Sequence, residues 1–166
     1  AFFDKTYLKY PGGMKSFLNH FMAENRNLAH DRADEFREAF KKAAELSAIV
    51  FGENAFRRFS IGSKSDPAGH WERTINRALY DVTMWGFSQY DKRDIITRAD
   101  AIRDAYIDLL QADPQFRDAV TSATGDKSRT RYRFETWTNR LRIVCDSTPQ
   151  ARNFSRQMKS DLFKLR

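Results

Sequence analysis

Apolar residues recur along most of this chain at the three- and four-residue spacing of an amphipathic helix. Over residues 31–51 the stripe is Phe36, Phe40, Ala43, Ser47 and Val50, ending before Gly52. Over 71–86 it is Trp71, Ile75, Ala78, Val82 and Trp85, ending at Gly86. Over 92–111 it is Ile95, Ala99, Ile102, Tyr106 and Leu109. Gly12-Gly13 breaks the chain ahead of a shorter helix over 14–25, where Phe17 and Phe21 share a face. Pro114 suits the first turn of another helix, with Asp113 as its N-cap and Phe116, Ala119, Val120 and Ala123 on one side. Thr148-Pro149 opens a last helix that runs to Leu165.

Residues 128–137 carry two patterns. Arg129, Arg131, Arg133 and Glu135 alternate with Thr130, Tyr132, Phe134 and Thr136, as in a strand. Phe134, Trp137, Leu141 and Val144/Cys145 also continue as a helical stripe. A lone strand leaves its backbone groups unpaired, and no second strand-like run is evident, so a helix is expected. The breaker-rich stretch from Ser60 to His70 is expected to be an exposed loop within one domain. With only 7 Gly and 4 Pro in 166 residues, turns are few and long helices follow. The expected fold is all-α, a single irregular helical bundle of about six or seven helices spanning residues 1–166. Its core is expected to draw on Phe17, Phe21, Phe36, Phe40, Trp71, Ile75, Leu79, Ile102, Tyr106, Phe116, Trp137 and Leu141.

Composition narrows the class. Hydrophobic residues at 41% and aromatics at 14% are too many for a disordered chain. The longest wholly apolar run, Ala48–Phe51, is far below the roughly 20 residues of a membrane-crossing helix, so no membrane partner is expected. The single cysteine, Cys145, excludes an internal disulfide framework and fits a reducing, cytoplasmic setting. The chain opens on Ala1-Phe2-Phe3 without Met. Apolar residues at a raw end lead us to expect a piece of a longer polypeptide.

Charge changes the picture more. The formal net charge is +7, yet residues 1–126 carry 18 basic and 19 acidic residues. The excess lies in residues 127–166, with 11 basic residues against 3 acidic. On a helix, Arg129, Arg133 and Arg140 fall to one side of the Phe134 stripe, and Arg131 and Arg142 to the other; Arg152 and Arg156 follow on the last helix. Guanidinium forks suit phosphate oxygens, so these seven arginines are the candidate nucleic-acid contacts. The same arginines could instead cover apolar surface with their stems, or pair with an acidic row such as Asp100, Asp104 and Asp108.

Other candidate chemistry is thin. His20 and Glu24 share a helical face but supply only two ligands, so no metal is expected. Ile61-Gly62-Ser63-Lys64-Ser65 lacks the earlier glycine of a phosphate loop, having Arg57 there, and Pro67 and Gly69 deny it the following helix. No Gly-x-Ser-x-Gly elbow is present, and Cys145 sits on an apolar stripe as an inert thiol would. The Asp100, Asp104 and Asp108 row could hold a hard cation or stand as a solvated face.

Read in order, several segments form a larger pattern: Phe17-Leu18-Asn19 with Met22-Ala23-Glu24-Asn25, then Phe51-Gly52-Glu53-Asn54-Ala55-Phe56-Arg57, then Asn76-Arg77-Ala78-Leu79-Tyr80-Asp81, then Phe116-Arg117-Asp118-Ala119-Val120 with Thr124, then Tyr132-Arg133-Phe134. This order resembles the C-terminal helical region of a bacterial family that includes the GmrSD-type modification-dependent restriction enzymes and related phage-defence proteins. The resemblance spans about residues 14–143 and rests mostly on packing positions. It implies that catalysis belongs to a preceding ParB/sulfiredoxin-like domain with an Asp-Gly-Gln-Gln-Arg type motif, which this chain does not contain. No His-Asn-His nuclease module is present either. Arg133 is the one polar position carried over. The resemblance therefore implies a non-catalytic scaffold or interaction domain without catalytic residues or cofactor. Its first partner would be the preceding catalytic domain of the same polypeptide. DNA backbone and a second copy of the chain are the other partners considered.

Overall fold

A computed structural model describes residues 1–3, 7–64 and 66–146. The helix expected from Thr148-Pro149 to Leu165 lies outside them, as do Arg152 and Arg156. Among the described residues the elements run α1 (Met14–Glu24), α2 (His30–Phe51), β1 (Arg57–Ser60), β2 (His70–Ile75), α3 (Arg77–Ser88), α4 (Lys92–Ile96), α5 (Ala99–Ala112), α6 (Pro114–Thr121) and α7 (Lys127–Asp146), with short 3-10 turns at Tyr7–Lys9 and Gly52–Asn54. The fold is mostly helical, but it is not all-α.

The correction lies at the hairpin. Residues 71–75, expected to begin a helix, form the second strand of an antiparallel pair in which Phe59 faces Trp71 and Ser60 faces His70. The breaker-rich stretch after Ser60 is the connection between the two strands. The hairpin forms because its side chains find partners across it. The Phe59 and Trp71 rings meet edge to face at 5.2 Å. Arg58 grips Glu72 with Nε and NH2 at 3.0 and 2.6 Å. Burial pushes the Glu72 carboxyl up, but hydrogen bonds from Arg58 and Ser60 outweigh it and hold the pKa below the ordinary carboxylate range. Trp71 then lies over Tyr106 of α5, and the Tyr106 hydroxyl donates to the Arg57 carbonyl at 3.1 Å, fixing the hairpin to the helices.

The helix after the hairpin starts at a cap. Asn76 accepts from the Leu79 N–H at 3.0 Å, and its Nδ2 donates to the Val120 carbonyl at 2.7 Å. One side chain thus starts α3 and anchors it to α6. Asp113 caps α6 as expected, accepting from the Phe116 N–H at 2.9 Å. The single helix expected over 92–111 is broken at Thr97-Arg98 into α4 and α5. Residues 127–146 are helical throughout, as the stripe indicated.

The core gathers Ala43, Leu46 and Val50 from α2, Leu79, Val82 and Phe87 from α3, Ile102, Tyr106 and Leu109 from α5, and Phe134, Trp137 and Leu141 from α7. Two expected core members are at the surface: Phe40 is 48% exposed and Ile75 59%. Phe21, Phe36 and Trp71 are half-buried. The reason is shared by Phe36 and Phe40. The buried residues of α2 all lie in its C-terminal half, from Ala43 onward, whereas Phe36 meets Phe21 of α1 and Phe40 borders an open cavity. Phe21 and Phe36 touch at 6.1 Å between ring centres.

Candidate functional site

The densest unusual chemistry lies where α3 meets α7. The Asn76 cap fixes the register of α3, which places Asp81 between Ala78 and Trp85 on its inward side. At the start of α7, Asp126 accepts from the N–H groups of Ser128 and Arg129 at 2.8 and 3.1 Å and from the Ser128 hydroxyl at 2.6 Å. These bonds, that of the Ser128 hydroxyl first, hold the Asp126 pKa below the ordinary range. So capped, α7 carries Arg133 inward next to Phe134.

Arg133 is completely buried. Its NH1 donates to the Thr124 carbonyl at 2.7 Å. Its NH2 stands 4.0 Å from Asp81 Oδ2, beyond hydrogen-bonding distance, and its Nε has no partner. The Asp81 side chain is 25% exposed. Burial raises its pKa to about 6, and the nearby Arg133 charge only partly opposes that rise. Burial likewise lowers the Arg133 pKa. The pair is therefore two desolvated, opposite charges held near each other but not joined.

A cavity of about 730 Å³ opens beside this pair. Asp81, Arg133 and Thr124 supply polar groups, while Phe2, Phe3, Leu18, Phe40, Met84 and Trp85 form most of the apolar wall. The Tyr10 hydroxyl donates to the Gly125 carbonyl at 2.7 Å and ties the N-terminal segment to the loop that lines the cavity. Phe2 packs against Phe134 and Phe17 at 4.9 and 5.4 Å between ring centres.

Among the described residues, the candidate arginines are not brought together on one surface. Arg133 is wholly buried in the core, so its fork is not at the surface to meet a phosphate. Arg129 pairs with the Asp118 carboxylate and also donates to the carbonyls of Asp118 and Ser122 at 3.1 and 3.3 Å, stapling α6 to α7. Arg131 pairs with Glu135 one turn on, at 2.9 Å, on the exposed side. Arg142 is exposed and Arg140 half-exposed, toward the far end of α7.

Among the described residues, the acidic row is not paired with these arginines. Asp100, Asp104 and Asp108 are exposed, and Asp100 pairs instead with Arg103, whose Nε donates to the Val50 carbonyl at 2.6 Å. His20 and Glu24 form an exposed pair at 3.1 Å. Among the described residues, no group of three or more His, Cys, Asp and Glu is placed to hold a metal ion, and no helix is long and apolar enough to cross a membrane. Cys145 is buried on the stripe of α7.

Asp81 is the functional candidate that the sequence pattern did not single out. A signal was there: an acid three residues after Ala78 and four before Trp85, on a stripe otherwise apolar. Comparison of the chain with family models, with characterised proteins and with solved structures finds no match.

Proposed function

We propose that this chain is a non-catalytic helical scaffold and interaction domain of a bacterial restriction or phage-defence type nuclease or NTPase. The catalytic domain would precede it in the same polypeptide. The family reading rests on the ordered segments from Phe17-Leu18-Asn19 to Tyr132-Arg133-Phe134. The observation that favours an interaction role is an apolar surface on the α1–α2 side. Leu18, Met22 and Phe40 are 41%, 67% and 48% exposed, and Leu18 and Phe40 border the cavity that Phe2 and Phe3 also line. Exposed apolar side chains grouped in this way mark a surface that another folded unit covers.

The test is photocrosslinking in the parent polypeptide with a photoreactive residue at Met22. Crosslinks to the preceding catalytic domain are expected. A photoproduct confined to residues 1–166 would overturn the reading.

A second reading is a DNA-backbone-binding module using the basic C-terminal part. Arg140 and Arg142 favour it, since both remain at the surface. Duplex binding that weakens steeply with salt, and loses slope in an Arg140→Ala/Arg142→Ala variant, is its expected signature. No binding at low salt would remove it.

A further inference from the structure

We propose that the outer edge of β2 is a docking site for an extended acidic segment of a partner protein, which joins the hairpin as a third strand. The segment carries one carboxylate opposite Arg73, with apolar residues two positions to either side. This inference rests on other residues than the α1–α2 surface and does not depend on it.

The edge is open. Among the described residues the sheet has two strands, so β2 pairs on one side only. Just past β2, the Asn76 N–H donates to the Phe56 carbonyl at 2.8 Å. Backbone groups alternate in direction along a strand, so those of Trp71, Arg73 and Ile75 point away from β1. Among the described residues, no turn or cap bond reaches these groups. Such an edge is a template for another strand, and natural edges are commonly blunted by proline or a bulge. β2 contains no proline, and the irregularity of the pair lies on β1, between Arg57 and Phe59. Arg73, Thr74 and Ile75 are all exposed.

Charge identifies the occupant. Residues 57–75 hold Arg57, Arg58, Lys64 and Arg73 against Asp66 and Glu72. Both acids are taken: Glu72 accepts from Arg58, and Asp66 Oδ2 lies 2.7 Å from His70 Nδ1. Among the described residues, Arg57, Lys64 and Arg73 have no acid partner. On α2, by contrast, Arg32, Arg37 and Lys41 each pair with an acid of the same helix. Trp71, Arg73 and Ile75 share one face of the strand. A carboxylate beside Arg73, flanked by apolar groups beside Trp71 and Ile75, therefore makes three favourable cross-strand pairs. A second acid beside Glu72 would be repelled, so one carboxylate is the match. Other occupants fit less well. A two-fold pairing of two copies about the middle of β2 sets Arg73 against Arg73 or Glu72 against Glu72. Residues 147–166 of the same chain carry five basic residues and one acidic, the wrong sign. Duplex DNA would engage the cations but leave the edge N–H and C=O groups unbonded.

The experiment titrates residues 1–166, labelled with 15N, with the end-capped peptide Ser-Ile-Thr-Glu-Thr-Ile-Ser and follows the backbone amides by NMR. Three other probes are titrated in parallel: the peptide with Lys in place of Glu, the peptide N-methylated at Glu and both Ile, and a short DNA duplex. Saturable shifts and slowed hydrogen exchange at the Trp71, Arg73 and Ile75 amides are expected with the first peptide. The Lys form should bind at least about fivefold more weakly, through the reversed pair at Arg73. The N-methylated form, which cannot donate to the edge, should bind at least about tenfold more weakly. In the variant Arg73→Glu, a change at an exposed position, the preference should pass to the Lys peptide. The proposal is overturned by no saturation up to about 5 mM, or by the Lys or N-methylated peptide binding as tightly. It is equally overturned if Arg73→Glu leaves the preference unchanged, or if DNA shifts these amides and the first peptide does not.

Discussion

Gly86 of α3 lies directly against Trp137 of α7. A Cβ on Gly86 would stand 2.9 Å from the indole Nε1 and 2.9 Å from Leu141 Cδ1, closer than real Cβ atoms approach. The two helices are therefore in contact at the one α3 position that has no side chain, and the large ring of α7 fills the space. Gly86→Ala should destabilise the fold by about 1–3 kcal/mol, even though alanine is the better helix former by about 1 kcal/mol. Urea unfolding of the two proteins measures it, and an alanine variant of equal or greater stability would show that α3 and α7 can separate freely.

The Asp81 carboxyl, with its pKa near 6 against 3.8 ordinarily, makes stability depend on pH in a particular direction. Between those values the folded chain holds a proton that the unfolded chain has released. The contribution of Asp81 therefore falls as pH rises from about 4 to about 6 and is level above that. Relative to an Asp81→Asn variant, the unaltered protein should lose roughly 2–3 kcal/mol across this window. Unfolding free energies of both proteins at pH 4.5 and 7.5 provide the comparison. Parallel pH dependence would refute the assignment.

Arg133 should be irreplaceable by lysine. The guanidinium bonds the Thr124 carbonyl while extending a second nitrogen toward Asp81, and a single ammonium cannot span both. Removing one member of a buried charge pair costs about 3–5 kcal/mol, so Arg133→Ala should fall in that range and Arg133→Lys should recover little of it. Thermal unfolding distinguishes this from a surface role, in which either substitution would leave the melting temperature nearly unchanged.

Asn76 serves two elements at once. Asn76→Ala removes the α3 cap and the bond to the Val120 carbonyl, and a loss of about 1–2 kcal/mol is expected. Asn76→Asp keeps the cap acceptor but not the donor to Val120. It should therefore lie between the two, and an aspartate variant as stable as asparagine would mean that the Val120 bond contributes nothing.

Much of the helical layout was legible because its signals are local. The Gly52 stop, the Asp113-Pro114 start and the 134–137–141 stripe each depend on residues within a turn of one another. The hairpin was not, because its stability comes from cross-strand partners. Phe59 and Trp71, or Arg58 and Glu72, become neighbours only once the loop closes, and Trp71-Ile75-Ala78 happens to keep helical spacing. Phe40 was misplaced for a similar reason: its stripe is real, but at Phe40 it faces an open cavity and not packed side chains. Arg133 shows how far a wheel diagram reaches. Four residues amount to 400°, so Arg133 stands only about 40° from Trp137 and can join the buried side when an acid on the facing helix awaits it. Asp81 supplies that acid, and nothing in the sequence around either residue announces the other.

The late position of α7 has a consequence for synthesis. Its Phe134, Trp137 and Leu141 complete a core whose other walls, from α2, α3 and α5, are made much earlier. While the ribosome is still adding residues 127–146, those walls face water with their centre unfilled. Long-separated contacts of this kind must wait for the chain to close on itself. A nascent chain of this protein therefore passes through a sticky interval that ends when α7 emerges, and truncation within that helix should yield aggregates recognised by chaperones, not a smaller stable domain.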